Sequence, residues 1–330
     1  MRTGYRLAFA ALIVFIGTAC AIAAEDPPNP YTEDGWARLP GGRHWGATGA
    51  VDVDRNGNVW VFERCGGASC IGKDDVAPVV ELDASGKFIK AFGAGLFVVP
   101  HGLFVDREGN VWVTDSQGKD GKGQVVVKFS ADGKVLMTLG KPGVAGTTDD
   151  TFNQPSDVAI APNGDIFVAD GHGGDSNARI VKFSKDGKFI KTWGKKGGAP
   201  GEFDVPHGLA FDSQGRLFVA DRSNGRIQIF DQDGKFLAEW KQFGRPSGIF
   251  IDANDVLYVA DHTSTAKNNP GIKRGIRVGS ARDGSVKAFI PGLGAEPDTQ
   301  SVGEGVAADA AGNVYMAETG GMNVRKFLRK

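Results

Sequence analysis

Seven side chains in this 330-residue sequence combine the residue types and spacing needed for metal-centred chemistry on an anionic substrate. His101 and His207 each open the phrase His-Gly-Leu, and Glu304 opens the related phrase Glu-Gly-Val. Imidazole nitrogens and a carboxylate oxygen are donors for a zinc-like ion, and three of them leave one position open for water or substrate. Arg64, His172, Arg222 and His262 each follow, directly or one residue later, an acid that closes an apolar run. Two arginines suit a substrate carboxylate, because a guanidinium can hold it through two parallel hydrogen bonds.

These residues recur at fixed places in a phrase that returns six times: Gly49–Arg64, His101–Ser116, Ser156–His172, His207–Ser223, Ser247–Thr263 and Glu304–Gly320. Each copy reads as two strands joined by a tight turn, with glycine at 57, 109, 164, 215 and 312 where positive φ is needed, and Asn254-Asp255 in the fifth copy. A second hairpin with an Asp-Gly or Ser-Gly turn follows in most copies, which makes a four-stranded blade. Six blades fill the chain, so the sequence predicts an all-β, six-bladed β-propeller. The last copy lacks a fourth strand, and the segment Glu33–Leu39 is expected to supply it, closing the ring and removing a free edge.

In a propeller the first strand of each blade lines the central channel. The opening positions Gly49, His101, Ser156, His207, Ser247 and Glu304 therefore form a ring, with His101, His207 and Glu304 about 120° apart in blades two, four and six. The loop after the second strand lies on the same face, which places Arg64, His172, Arg222 and His262 around the same mouth. Two readings of the ring stay open: a metal site, or polar channel residues bonded to water. The acids Glu63, Asp115, Asp170, Asp221, Asp261 and Glu318 occur in all six copies. That universality assigns them a scaffold task, accepting backbone N–H bonds in the following loop. His44, ahead of the first blade, reads as a loop histidine. The segment Thr263–Pro270 and the loop Gly292–Gly303 are long for this architecture and would shape a pocket or lid.

Composition narrows the partners. With 38 basic and 39 acidic residues the net charge is -1, which offers no footprint for nucleic acid or an anionic membrane. Residues 1–24 carry Arg2 and Arg6 ahead of an apolar run from Leu7 to Ile16 and small residues up to Ala24. They read as a secretory signal, too short to span a membrane, ahead of one propeller domain over 25–330 in a periplasmic or secreted protein. A lipoprotein anchored through Cys20 is disfavoured, since Gly17 sits where a branched apolar residue is expected. Export favours a disulfide between the two remaining cysteines, Cys65 and Cys70, closing a small loop next to Arg64. A monomer binding a small molecule or peptide with a carboxylate is the expected assembly.

The blades resemble NHL repeats. Beyond that, the order and spacing of VPHGLFVDREGNVWVTD, QPSDVAIAPNGDIFVADGH, ARIVKFSKDGKFIKTWG and VPHGLAFDSQGRLFVADRSNGRIQIF resemble the propeller of peptidyl-α-hydroxyglycine α-amidating lyase, which splits a hydroxyglycine-ended peptide into a peptide amide and glyoxylate. The resemblance implies zinc held by three histidines that open first strands; two match His101 and His207, and the third falls on Glu304. A carboxylate there adds a negative charge and weakens the ion as a Lewis acid. The family's active-site arginines match Arg64 and Arg222, and its catalytic tyrosine falls on His172, an imidazole able to accept a proton near neutral pH. A structural calcium on backbone carbonyls would fall at Val51 and Leu103.

Three functions compete on this basis. The first is a metal-dependent lyase in which His101, His207 and Glu304 hold the ion, Arg64 and Arg222 bind the carboxylate with His262 beside them, and His172 takes the proton. The second is a non-catalytic NHL propeller that binds a peptide, glycan or protein at the channel mouth. The third is a calcium-dependent lactonase or esterase, which ranks last because Glu304 alone offers the acid or Asn ligands such a site wants.

Overall fold

A computed structural model describes residue 1 and residues 26–293 and 303–330. Residues 2–25, which hold most of the expected signal segment, and residues 294–302 of the long loop lie outside the described residues. Six four-stranded antiparallel sheets follow one another along the chain. Their first strands are Thr48–Val53, Pro100–Val105, Pro155–Ile160, Pro206–Phe211, Ile249–Ile251 and Gly305–Ala308.

The hydrophobic core is distributed as six buried clusters, each between two neighbouring blades. One joins Trp60, Phe62 and Val79 of blade one to Val111, Val113 and Phe129 of blade two. Another joins Phe167 and Ile180 of blade three to Val219 and Phe230 of blade four. This explains the second strands, such as Ile166–Asp170 and Leu217–Asp221, which are buried along their whole length. Both faces of each sheet meet a neighbour, so alternation of polar and apolar residues is lost.

The ring closes between the chain's two ends as expected, with Glu33 and Asp34 of the expected segment paired to the last strand. The closing strand is Tyr31–Asp34, running from Tyr31 opposite Arg329 to Asp34 opposite Lys326. After Gly35 the chain leaves the sheet because Trp36 packs edge-on against Tyr315 at 5.1 Å and its indole nitrogen donates to the Ala84 carbonyl at 3.3 Å. The expected strand is thus shifted toward the N-terminus, and its later part becomes a plug over the seam between blades six and one.

The six acids are fully buried, and their partners revise their expected task. They mainly hold the loop that precedes the first strand. Asp115 accepts from the N–H groups of Val98 and Val99 at 2.6 and 2.7 Å, just ahead of His101. Asp221 accepts from Asp204 N–H at 2.7 Å, just ahead of His207. Glu63 holds one loop on each side, through Gly46 N–H at 2.8 Å and Gly66 N–H at 2.7 Å. Buried arginines balance several of these charges, as in Arg179 with Asp170 and Arg226 with Asp221, both at 2.8 Å.

Candidate metal centre at the channel mouth

The loops fixed by these acids deliver the ring residues. Val205 adopts φ 69°, a conformation a β-branched residue rarely takes, directly ahead of Pro206 and His207. Its carbonyl accepts the N–H of Arg222 at 3.0 Å, so an arginine and a histidine of the site are anchored by one backbone bond. Arg64 N–H donates likewise to Ala47 at 2.9 Å. In blade three Gly171 takes the corresponding place, donating to the Gln154 carbonyl at 3.0 Å, which leaves His172 one residue further on.

Five of the seven side chains singled out in the sequence meet around the carboxylate of a sixth, Glu304. From Oε1 of Glu304, Nε2 of His207 is 3.0 Å away, Nη1 of Arg222 3.5 Å, Nε2 of His101 3.6 Å and Nε2 of His172 3.8 Å. Arg64 reaches Oε2 at 4.0 Å, and its Nε donates to the Pro100 carbonyl at 3.1 Å. The donor atoms of His101, His172, His207 and Glu304 all lie within 4.8 Å of one another, the one such group of three or more among the described residues. His262 stands beside this set, its Nδ1 paired with Ser247 Oγ at 2.8 Å. His44 is exposed on its loop and lies outside the cluster.

Hydrogen bonding fixes which nitrogens carry hydrogens. Nδ1 of His101 lies 2.6 Å from the Ser156 carbonyl, and Nδ1 of His207 lies 3.2 Å from the Ser247 carbonyl. A carbonyl only accepts, so both Nδ1 atoms are donors and a neutral ring has its lone pair on Nε2. Those lone pairs point at a carboxylate. Nε2 of His101 and of His172 are buried without any hydrogen-bond partner among the described residues. Arg222 and Arg64 balance the carboxylate from its edge, and the imidazole lone pairs at the centre call for a proton or a cation among them.

Burial opposes the proton. It pushes His172 down to about 4 and His207 well below the ordinary histidine range, in each case outweighing the favourable carboxylate. Burial also works against the charge of Glu304, and only rings that donate to it, His101, His172 and His207 in protonated form, hold the carboxyl well below its ordinary range. A cation fits better. Three ring nitrogens and a carboxylate oxygen are zinc donors, and donation of the remote ring N–H to a carbonyl is the usual way a ligating histidine is oriented.

A void of about 50 Å³ lies on the axis directly beside the ring residues, and Val51, Leu103 and Asp157 line it. A larger cavity of about 630 Å³ opens at the other end of the channel, away from the histidines. His101, His207 and Glu304 line the smaller void, and the larger cavity holds none of the converging donors. Cys65 and Cys70 form a disulfide, with Cα atoms 5.0 Å apart, in the loop that starts after Arg64. Among the described residues no helix is long and apolar enough to cross a membrane.

The chain is similar to several known proteins. The NHL repeat family matches residues 152–183 and 203–230, in blades three and four. Mouse NHL repeat-containing protein 3 is 36% identical over 300 residues, covering 86% of this chain and 80% of the relative. The chain belongs to the NHL-repeat propeller family. Other relatives carry amidation in their names. Peptidyl-glycine alpha-amidating monooxygenase B of Xenopus laevis is 34% identical over 293 residues, 83% of this chain. Peptidyl-alpha-hydroxyglycine alpha-amidating lyase 1 of Drosophila melanogaster is 34% identical over 201 residues, 53% of this chain. The chain spans only 30% and 36% of the lengths of these two relatives. A solved gluconolactonase from Xanthomonas campestris superposes with TM-score 0.60 at 18% identity, covering 92% of this chain and 95% of its own, a likeness of fold alone.

Sequence reasoning missed one property of His172. The sequence puts it at the mouth, where it lies partly exposed, but does not place its Nε2 among the donor atoms, where it stands. The signal was Gly171: with φ 147° it takes a backbone shape that side chains rarely adopt, and it sets His172 out of step with Arg64 and Arg222. Asp52 and Asp157 were also passed over. Both are buried beside the channel, and burial pushes each carboxyl up to about 7.

Proposed function

We propose that the protein is an exported metal-dependent lyase that cleaves peptidyl-α-hydroxyglycine-type substrates to an amide and glyoxylate. The observation that carries this reading is the donor cluster with two guanidiniums already facing a carboxylate at its centre. His101, His207 and Glu304 would hold a zinc-like ion, which supplies Lewis acidity and lowers the pKa of an oxygen placed beside it. Arg64 and Arg222 then bind the substrate carboxylate, with His262 at the edge of the same pocket. In the reaction the substrate hydroxyl gives up its proton, its C–O bond becomes a carbonyl, and the C–N bond breaks. The electron pair leaves with the amide nitrogen, which takes up a proton.

A neutral imidazole suits the first proton transfer, and His172 is the cluster histidine reached from outside, its side chain 29% exposed against 3% for His101 and His207. Calcium on the carbonyls of Val51 and Leu103 belongs to the same proposal, supported by the Asp157 carboxyl on the same void. The test is to incubate the purified protein with a hydroxyglycine-ended peptide and measure glyoxylate, before and after chelator treatment and metal return. Release that stops on chelation and resumes with metal supports the reading; no release with metal present contradicts it.

A second reading has its own support, since NHL repeat-containing protein 3 matches over most of both chains. A non-catalytic propeller would bind a peptide, glycan or protein at the same mouth. Replacing His101 and His207 together by alanine would then leave partner binding intact.

A further inference from the structure

We propose that His172 is a fourth protein donor, so that the ion is held by three imidazoles and one carboxylate. The inference rests on the metal-dependent reading above and changes what His172 does in it. Its ring packs edge-on against His101 with centroids 4.6 Å apart and tilted against His207 at 5.1 Å. That stacking aims Nε2 into the space the other donors enclose. Donors around a tetrahedral zinc with bonds of about 2.0–2.1 Å stand about 3.3 Å apart. From Glu304 Oε1 the three imidazole nitrogens stand at 3.0, 3.6 and 3.8 Å, bracketing that spacing.

The loop is built to hold the ring there. Ser176 Oγ accepts the N–H groups of both His172 and Gly173 at 2.9 Å. Gly171 has room for no side chain, since a Cβ there would meet the Asn177 carbonyl oxygen at 1.8 Å. Packing alone does not account for the arrangement, because it would leave the buried Nε2 without a partner, at a cost of about 1–3 kcal/mol. The histidine absent at position 304 is in effect recovered from a different loop.

A lone pair directed at a cation accepts no proton, so His172 is a ligand of the resting site and takes the proton only once substrate has displaced it. Four protein donors also close the site, where three leave it open. His172 is the donor that sits on a loop and is partly exposed, which makes it the exchangeable one.

X-ray absorption of the zinc-loaded protein counts the imidazoles around the ion without any variant: three supports the proposal, and two overturns it. His172→Ala should then show two, with zinc affinity at least about tenfold weaker and shifted visible bands in the cobalt-loaded protein. His262→Ala should leave the cobalt bands as in wild type. Two imidazoles in a protein that binds one ion would sink this inference and spare the metal-dependent reading. A wild-type protein that binds no ion would sink both.

Discussion

Asp157 lies in the wall of the axial channel with one carboxylate oxygen accepting Leu209 N–H at 2.8 Å across the seam between blades three and four. Burial pushes this carboxyl up to about 7, with the nearby Asp52 adding to the rise and two backbone N–H bonds opposing it. An unfolded chain releases the same proton near pH 4. Between about pH 4 and 7 the folded protein therefore holds a proton that the unfolded chain has lost, and stability falls as pH rises through this window before levelling off. Three units at about 1.36 kcal/mol each make this about 4 kcal/mol above pH 7. Asp157→Asn removes the titration and keeps an oxygen for Leu209 N–H. Its added NH₂ group, if left unpaired, costs about 1–3 kcal/mol at every pH. Urea unfolding in the presence of chelator should show the variant gaining about 4 kcal/mol relative to wild type between pH 4 and pH 8. Acids that do not face Asp157 cancel in that difference, and Asp52, whose coupling to Asp157 ranks below burial, leaves only a smaller remainder. An unchanged difference at the two pH values would refute the assignment of a raised carboxyl at Asp157. Added calcium, if held beside Val51 and Leu103, should stabilise wild type at pH 8 and have less effect on the variant.

Three further outcomes follow from the site. Arg222→Lys keeps the charge but not the paired N–H donors, and the loss of a charged hydrogen bond worth about 2 kcal/mol should lower kcat/KM for glyoxylate release about 30-fold; an unchanged value would remove Arg222 from substrate binding. Gly171→Ala must displace the Asn177 carbonyl or leave φ 147°, so urea unfolding should show a loss of at least about 2 kcal/mol together with weaker zinc binding; wild-type behaviour in both would show that the loop does not depend on this glycine. Reduction of the Cys65–Cys70 bond opens a loop of sequence separation 5, which chain entropy values at about 2 kcal/mol. Thermal unfolding should shift by that modest amount while KM rises, since Arg64 adjoins Cys65; a shift without any change in KM would separate the disulfide from the site.

Much of this was readable because the sequence repeats itself. Six copies of one phrase define six blades, and positions that vary between copies isolate His101, His207, Glu304, Arg64 and Arg222. Their convergence then follows from blade geometry alone. The closing strand ends earlier than the sequence suggests because Trp36 and Leu39 look like strand residues, while their packing over the seam near Tyr315 depends on contacts distant in sequence. The shared acids were correctly taken as scaffold, but their main partners precede the first strand, a connection visible only once both loops are folded. The donor role of His172 was hidden by the single-residue offset at Gly171. Asp52 and Asp157 gave no sign at all, since neither recurs between copies and burial beside a channel is a property of the closed ring.

The most direct test is metal analysis of the purified protein beside Glu304→Ala. One equivalent of a zinc-like ion in wild type, with a marked loss in the variant, is the predicted result, because the carboxylate is the point on which the ring nitrogens converge. A wild-type protein that binds no divalent ion, or a variant that binds it as tightly as wild type, would contradict the account.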